Sequence, residues 1–286
     1  MPELPEVETI RRGLDELILQ QKVCEVKVFC AKSFQGDERA VLGRKIKKLR
    51  RFGKALVIDL SGGVSLMIHL RMTGQLIYDG EERYAAGHPS ENFVADLPNR
   101  QTRVEFKLEK GRLYFNDQRK FGFVKLIQTD QIKKEAFIQK LAKEPWAMTP
   151  EELWQKLQKH QKAAIKSVLL DQTVVCGLGN IYADEALFEA KIHPKRQAGN
   201  LTIDEAKTLL MAMRQVMDVS LQFGGSTMRN YVKADGSRGN YLDLFAKVYQ
   251  REGQPCANCK TRIVKIKLAG RGTHFCPQCQ IGGKND

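Results

Sequence analysis

The octet Met1-Pro2-Glu3-Leu4-Pro5-Glu6-Val7-Glu8 sets an imino acid beside a carboxylate at the start of the chain. If Met1 is removed, Pro2 presents a free secondary amine with Glu3 next to it. An α-amino group titrates near ~8, against ~10.4 for a lysine, so much more of it is unprotonated at neutral pH. A secondary amine condensing with an aldehyde carbon gives an iminium that cannot shed its charge by losing an N–H. It becomes an electron sink, and covalent catalysis through an amine and a carbonyl carbon is an established enzymatic device. The plain alternative is that Pro2 is a stiff leader and Pro5 the first residue of a helix.

A second chemical signal is Cys256-x2-Cys259-x16-Cys276-x2-Cys279. Two Cys-x-x-Cys knuckles at this separation match a four-thiolate zinc pattern, with a redox dithiol pair as the alternative. Between them Ile263 to Leu268 alternates and Ala269-Gly270-Arg271-Gly272 turns, so a β-hairpin zinc finger is expected. Four thiolates fill a tetrahedral shell, which makes the one Zn2+ structural, with no open position for catalysis. Lys265, Lys267 and Arg271 on the hairpin are then free to meet phosphate.

Other segments speak more quietly. In Val175-Cys176-Gly177-Leu178-Gly179-Asn180 two glycines let backbone approach a ligand, and an Asn at a helix start would sit among N–H groups that attract an anion. The third glycine of a dinucleotide fingerprint is missing, and a tight turn between packed helices explains the segment equally well. His69-Leu70-Arg71-Met72-Thr73-Gly74 and Asn116-Asp117-Gln118-Arg119-Lys120-Phe121-Gly122 each end an expected strand. Arg119 and Phe121, two apart on an extended segment, would face the same way. With Met72 they form either an apolar and cationic wedge for a base stack or ordinary core and turn residues.

These residues need elements to hold them. At 286 residues the chain has room for about two domains. The formal charge of +14, from 47 Lys+Arg against 33 Asp+Glu, favours a polyanionic partner, nucleic acid first. Residues 44 to 54 hold seven basic residues and no acid, and residues 247 to 286 hold eight against two, a clustering that suits a phosphate-tracking surface. No apolar stretch approaches the ~20 residues of a membrane span, and no secretion leader is expected. Cys24, Cys30 and Cys176 stand alone in apolar surroundings and read as small core residues in a reducing cytosol.

The spacing of Val7, Ile10, Leu14 and Leu17 predicts a helix over 6–19. From Val23 to Ile127 the texture is β, with runs at 56–60, 65–70, 103–109, 113–115 and 123–127 and a hairpin turn at Gly62-Gly63. Such strands suit a sandwich or a barrel. Residues 79–101 have turn composition and are expected to form a long loop. Ala142 to Pro150 reads as a connection, after which capping boxes at Thr149 and Thr202 open helices across 151–223. Phe223-Gly224-Gly225-Ser226 stops the last of them.

Taken together, PELPEVE, HLRMTG, NDQRKFG, LLDQTVVCGLGNIYADE and the finger resemble, in order and over essentially the whole chain, the bacterial formamidopyrimidine-DNA glycosylases. Endonuclease VIII is the sister branch, and PEL, against its PEG start, favours the purine-lesion branch. The resemblance implies an α+β, multidomain fold: a β-sandwich with a leading helix over 1–135, a linker at 136–148, a helical helix–two-turns–helix domain at 149–245 and the finger at 246–280. A cytoplasmic, nucleoid-associated location is expected from the cysteine usage and the DNA partner, and a monomer because no extended coiled coil or exposed apolar stripe appears. Such an enzyme would act on double-stranded DNA containing damaged bases. It would excise oxidised purines, chiefly 8-oxoguanine and formamidopyrimidines, and nick the strand by β,δ-elimination.

By the family's pattern Pro2 attacks C1′ and Glu3 is the acid/base; Glu6, one helical turn from Glu3 if the helix begins early, is read from its position alone as orienting the site or capping the helix. Lys54 assists β-elimination; Arg271 supports δ-elimination and holds phosphate, as does Asn180. Met72, Arg119 and Phe121 fill the gap left by the extruded base, and the loop at 226–240 covers that base. The family often has a histidine pair where this chain has Arg100-Gln101-Thr102-Arg103, leaving Gln101 as the phosphate donor. Cys176 replaces a small apolar residue, and the basic residue expected before LLDQ is Lys162, with Gln161 and Lys166 nearby. The rival readings are an endonuclease VIII-type enzyme for oxidised pyrimidines and a non-catalytic zinc-finger DNA-binding protein.

Overall fold

The computed structural model describes residues 1–88, 95–226 and 241–282, with the backbone alone of 231–232 and 238–239. The chain divides into two units. The first holds Met1–Gln139 and the turn at Gly224, Gly225 and Ser226; the second holds Lys140–Phe223 and the described residues from Tyr231 onward.

In the first unit, helix α1 (Leu4–Ile18) begins two residues before the position that apolar spacing indicates. Glu3 is its N-cap, in extended conformation, and Pro5 falls in the first turn, where a missing N–H costs nothing. Leu4, Val7, Ile10, Leu14 and Ile18 form its buried stripe. The strands that follow are β1 (Val23–Val28), β2 (Phe34–Gln35), β3 (Ile46–Phe52), β4 (Ala55–Leu60), β5 (Val64–His69), β6 (Gly74–Gly80), β7 (Arg83–Gly87), β8 (Thr102–Leu108), β9 (Gly111–Asp117) and β10 (Phe123–Gln128). They build two five-stranded sheets, ordered β1-β8-β9-β6-β7 and β2-β10-β5-β4-β3. The pairing of β2 with β10 is parallel and the rest are antiparallel.

Leu76, Phe106 and Phe115 of one sheet and Leu56, Ile58 and Ile68 of the other share one core with the stripe of α1. α1 packs on β3 and β7, one edge strand from each sheet, and so closes an open side of the sandwich. The outer face of the second sheet is also covered. Ala55, Val57, Met67 and Ile127 meet Ile132, Phe137 and Ile138 from the segment ending in the short helix α2 (Ala136–Gln139).

Several expectations change here. Residues 79–101 are not all loop: β6 runs on to Gly80 and Arg83–Gly87 pairs with it as β7, while 89–94 lie outside the described residues. The strand is held from outside itself, since Tyr84 lies against α1 at Gly13 and its hydroxyl donates to the Thr9 carbonyl at 3.0 Å. Cys24 is exposed on the edge strand β1 and Cys30, beyond its end, is half-exposed; only Cys176 of the three isolated cysteines is buried. The basic run at 44–54 is mostly β3, and its arginines are engaged within the unit. Arg44 donates to the Ala40 and Ser61 carbonyls, Arg50 pairs with Asp59 and Arg51 with Glu8. Lys47 and Lys48 remain exposed on this edge strand, where charge discourages edge-to-edge pairing.

The second unit contains α3 (Pro150–Gln158), α4 (Ile165–Leu169), α5 (Asn180–Glu189), α6 (Ile203–Gln222), the strand pair β11 (Tyr231–Val232) and β12 (Arg238–Gly239), α7 (Tyr241–Leu244), and the hairpin of β13 (Val264–Leu268) and β14 (Arg271–Phe275). Both capping boxes are formed, Thr149 with Glu152 and Thr202 with Glu205. α5 is buried from Ile181 to Phe188, which is why it carries no one-sided apolar pattern. Glu185 inside it accepts the backbone N–H groups of Lys247, Val248 and Tyr249 at 2.7–3.0 Å. Burial pushes its carboxyl above the ordinary range against those donors. Among the described residues no helix is long and apolar enough to cross a membrane.

Leu14 is fully buried between the sheets. Replacing it with alanine is expected to cost about 3 kcal/mol of the first unit's stability in a denaturant titration. A loss below about 1 kcal/mol would mean that α1 is not part of the core.

Candidate active site

The site in the first unit is built on the start of α1. Pro2 is buried, and Glu3 is 2% exposed. The Glu3 backbone N–H donates to Glu6 Oε2 at 2.8 Å, half of a capping box. The other oxygen, Glu6 Oε1, accepts the N–H of Ser226 at 2.8 Å. Gly225, at φ +80°, leads the chain to this contact, and a Cβ there would lie 3.2 Å from Glu6 Oε1. The Glu6 carboxylate thus caps the helix with one oxygen and holds the Ser226 N–H with the other. Carboxylates here are favoured by the positive end of the helix dipole.

Lys54 lies in the β3–β4 turn, directly before β4, and is buried. Arg51 connects its turn to α1: Nε lies 3.1 Å from Glu8 Oε2, and Nη1 donates to the Gly53 carbonyl at 3.0 Å. Glu8 also accepts from Arg11 and Arg12. Burial pushes the Glu8 carboxyl upward, but the three guanidiniums outweigh it and hold the group below the usual carboxylate range. Glu8 and Arg51 therefore fix the helix that carries Pro2 and Glu3 against the turn that carries Lys54. A charge count along the sequence does not reveal this pair.

Met72 and the pair Arg119 and Phe121 stand on neighbouring loops, between β5 and β6 and after β9. The second loop is a turn rather than the expected extended segment, with Lys120 at φ +56°. Arg119 and Phe121 still face together, the guanidinium carbon 4.9 Å from the ring centroid. Phe121 is 55% exposed. Arg71, before Met72, is also left-handed at φ +51°. Such backbone costs roughly 1–2 kcal/mol per non-glycine residue, so neighbours must hold it.

His69 lies below these loops, between the rings of Phe123 and Phe137, and its Nδ1 accepts the Arg71 N–H at 3.1 Å. Burial, then the charges of Arg71 and Lys54, push its imidazole down to about 3. It is a neutral prop, not an acid–base group at neutral pH. Gln101 is half-buried and its carbonyl accepts the Asp117 N–H at 2.9 Å. Arg103, two residues on, is buried and donates to the Asp117 and Arg100 carbonyls. His88, which carries no motif, is held below its ordinary value by burial and the nearby positive chain terminus, with Asp117 opposing.

In the second unit Lys162 is exposed in the loop after α3, whereas Lys166 is buried. Lys166 Nζ lies 2.6 Å from Asp184 Oδ1 and donates to Thr273 Oγ1 at 2.8 Å and the Gly272 carbonyl at 3.1 Å. That removes Lys166 as a surface cation. Asn180 opens α5, and its Nδ2 donates to the same Gly272 carbonyl at 3.0 Å. Arg271, beside Gly272, is exposed at the start of β14. Asp184 also accepts the His274 N–H at 2.9 Å. The loop expected at 226–240 lies almost wholly outside the described residues, including Thr227, Met228, Arg229 and Asn230.

The thiols of Cys256, Cys259, Cys276 and Cys279 lie within 4.8 Å of one another. Separations of 3.8 Å for Cys256–Cys279 and 3.4 Å for Cys259–Cys276 fit the edges of a tetrahedron with Zn–S bonds of about 2.3 Å. The ligand set is complete for one structural zinc ion, and the hairpin turns at Ala269-Gly270, both at positive φ.

Comparison with known proteins agrees along the whole chain. Residues 1–124 match the family model of the formamidopyrimidine-DNA glycosylase N-terminal domain, residues 141–232 its H2TH domain and residues 253–281 the zinc finger found in FPG and IleRS. The chain is 40% identical to the formamidopyrimidine-DNA glycosylase of Desulfitobacterium hafniense, over 98% of this chain and all of that one. It is 41% identical to that of Pelotomaculum thermopropionicum, over 98% and 99%. A solved complex of Lactococcus lactis Fpg with DNA containing an abasic site is similar at TM-score 0.85 and 34% identity, covering 98% of this chain and 99% of that one. A complex of the same protein with DNA containing an oxidised pyrimidine matches at 0.84 and 34%, with the same coverage.

Two measurements follow from this geometry. The unfolded chain protonates a histidine near its ordinary 6.5, but the folded chain resists this at His69 until about 3. Stability from this group is therefore full above 6.5 and declines as pH falls toward 3, by about 1.4 kcal/mol per unit. A His69→Phe variant should show a flatter stability profile across that window; an identical slope would mean that His69 is not buried neutral. Metal analysis should give one zinc per chain, lost in Cys259→Ser together with part of the second unit's thermal stability.

Proposed function

Because the chain belongs to the formamidopyrimidine-DNA glycosylase family, and so is a DNA glycosylase of damaged DNA, we propose that it excises oxidised purines through a covalent bond from Pro2 and then nicks the strand as an abasic-site lyase. The observation that carries this reading is the Glu6 carboxylate, which holds the Glu3 N–H on one oxygen and the Ser226 N–H on the other. It supports a terminus built for chemistry rather than a stiff leader.

The target base lies inside a duplex, so it must first be turned out, as glycosylases do. Phe121 stacking in the gap, with Met72 and Arg119 toward the orphaned partner base, offsets part of the unstacking cost. With Met1 removed, the Pro2 nitrogen gives its lone pair to C1′, and the base departs with the electrons of the glycosidic bond and takes up the proton that the newly bonded nitrogen sheds. Glu3 supplies the proton that opens the sugar, leaving an iminium between Pro2 and C1′. The positive charge acidifies the 2′-hydrogen; its loss expels the 3′ phosphate, and a second elimination expels the 5′ phosphate. Lys54 and Arg271 offset charge on the departing phosphates. Lys162, Asn180 and Gln101 hold the remaining backbone. Zinc keeps the finger folded and takes no part in these steps.

We further place the enzyme as a monomer on nucleoid DNA in the cytoplasm. The domain division expected from sequence stands as part of the same proposal.

The test is borohydride trapping on a duplex containing 8-oxoguanine. Wild-type protein should give a covalent adduct and Pro2→Gly none. Absence of any wild-type adduct would end the covalent mechanism. The Lactococcus lactis complex with an oxidised pyrimidine makes thymine glycol the natural second substrate. Faster cutting there than at 8-oxoguanine would move the chain to the endonuclease VIII type of specificity.

A further inference from the structure

Asp117 closes β9 and its side chain is completely buried. Its two oxygens serve both loops that carry the proposed wedge. Oδ1 accepts the hydroxyl of Thr73, in the β5–β6 loop directly after Met72, and the N–H of Arg119 at 3.2 Å. Oδ2 accepts the N–H of Gly122, directly after Phe121, at 2.7 Å. The Arg119 N–H is shared with Thr73 Oγ1 at 3.0 Å, which closes a ring of hydrogen bonds across the two loops. Hydrogen bonds to an ionised acceptor are about twice as strong as neutral ones.

The surroundings show that these loops are held tightly. Arg71 and Lys120, the residues just before Met72 and Phe121, are both left-handed without being glycine. A Cβ at Gly74 would come within 2.4 Å of the Leu70 carbonyl. One at Gly122 would come within 2.8 Å of the Phe115 ring and 2.9 Å of the His69 carbonyl. The Asp117 main chain is anchored as well, its carbonyl receiving Arg103 Nε at 2.7 Å. A buried carboxylate costs free energy unless fully hydrogen-bonded, so it stays buried only while both loops keep their N–H and O–H groups on it.

We infer that Asp117 is a positioning residue, whose carboxylate locks the Met72 loop and the Arg119–Phe121 turn into one preformed wedge, with Thr73 as its partner. This rests on the wedge reading given above. Entry into the base stack then requires no ordering of either loop when DNA arrives, and the rate of lesion excision depends on the lock.

The experiment compares Asp117→Asn, Thr73→Val, Thr73→Ser and Phe121→Ala by single-turnover excision of 8-oxoguanine from a duplex, by 2-aminopurine fluorescence beside the lesion, and by cleavage of a preformed abasic site in single-stranded DNA. The last substrate has no partner base to orphan and needs no wedge. D117N and T73V should lower duplex excision by up to about 10²-fold, the scale of a 1 Å misplacement, and weaken the fluorescence rise. They should leave single-strand cleavage unchanged, and T73S, which keeps the hydroxyl, should restore the duplex rate. Wild-type duplex rates in D117N and T73V overturn the proposal. So does an equal loss on both substrates with a lowered melting temperature, which would make Asp117 a general structural residue. F121A separates the premises: if it leaves the fluorescence rise intact, the wedge reading fails and this proposal with it.

Discussion

A nucleophile at the end of a chain is held by one covalent neighbour, and free termini are ordinarily the least ordered part of a domain. Here the constraint is met by the Glu6 carboxylate, buried at the start of α1 between the N–H of Glu3 and the N–H of Ser226. Everything proposed for Pro2 depends on this contact. The apolar stripe from Leu4 to Ile18 locks the helix between the two sheets, and Glu6 transmits that rigidity to the two residues in front of it. The same carboxylate ties down the chain entering the 226–240 segment. The residue that orders the proposed nucleophile therefore also orders the approach to the proposed lesion loop.

Charge follows a similar logic. The net +14 announces a polyanionic partner, yet many cations never reach one. Arg44, Arg50 and Arg51 are engaged by partners within the first unit, and Lys166 is buried against Asp184. What these groups do is place others. Arg51 sets the turn of Lys54, and Lys166 sets the carbonyl next to Arg271. The cations left for phosphate are fewer than the total and stand on prepared ground.

This difference explains what could be read from the residues alone. The zinc finger was legible because its ligand spacing, alternation and turn are all local. The capping boxes at Thr149 and Thr202 were legible for the same reason. β8 showed itself through Val104, Phe106 and Leu108, since one face of it meets the core. β7 did not, because Tyr84-Ala85-Ala86-Gly87 holds little strand preference and depends on β6 and on Gly13 of α1. The pairing of Arg51 with Glu8, 43 residues apart, and the dual role of Glu6, whose second partner lies 220 residues away, belong to tertiary structure. Arg119 and Phe121 lie side by side because the chain turns at Lys120, not through the alternation of an extended strand.

The Gly272 carbonyl, held by both Asn180 and Lys166, bears on how this enzyme can change over time. Zinc fingers are often treated as interchangeable beads. This one is riveted to the helical unit through Thr273, His274 and the carboxylate of Asp184. A finger transplanted from a distant homologue would still offer a backbone carbonyl and N–H to residues 166, 180 and 184, yet would lose the bond from Lys166 unless it carried a hydroxyl at position 273. The fastening thus tolerates change over most of the hairpin and is exacting at Thr273 alone, whose hydroxyl meets the buried Lys166 ammonium.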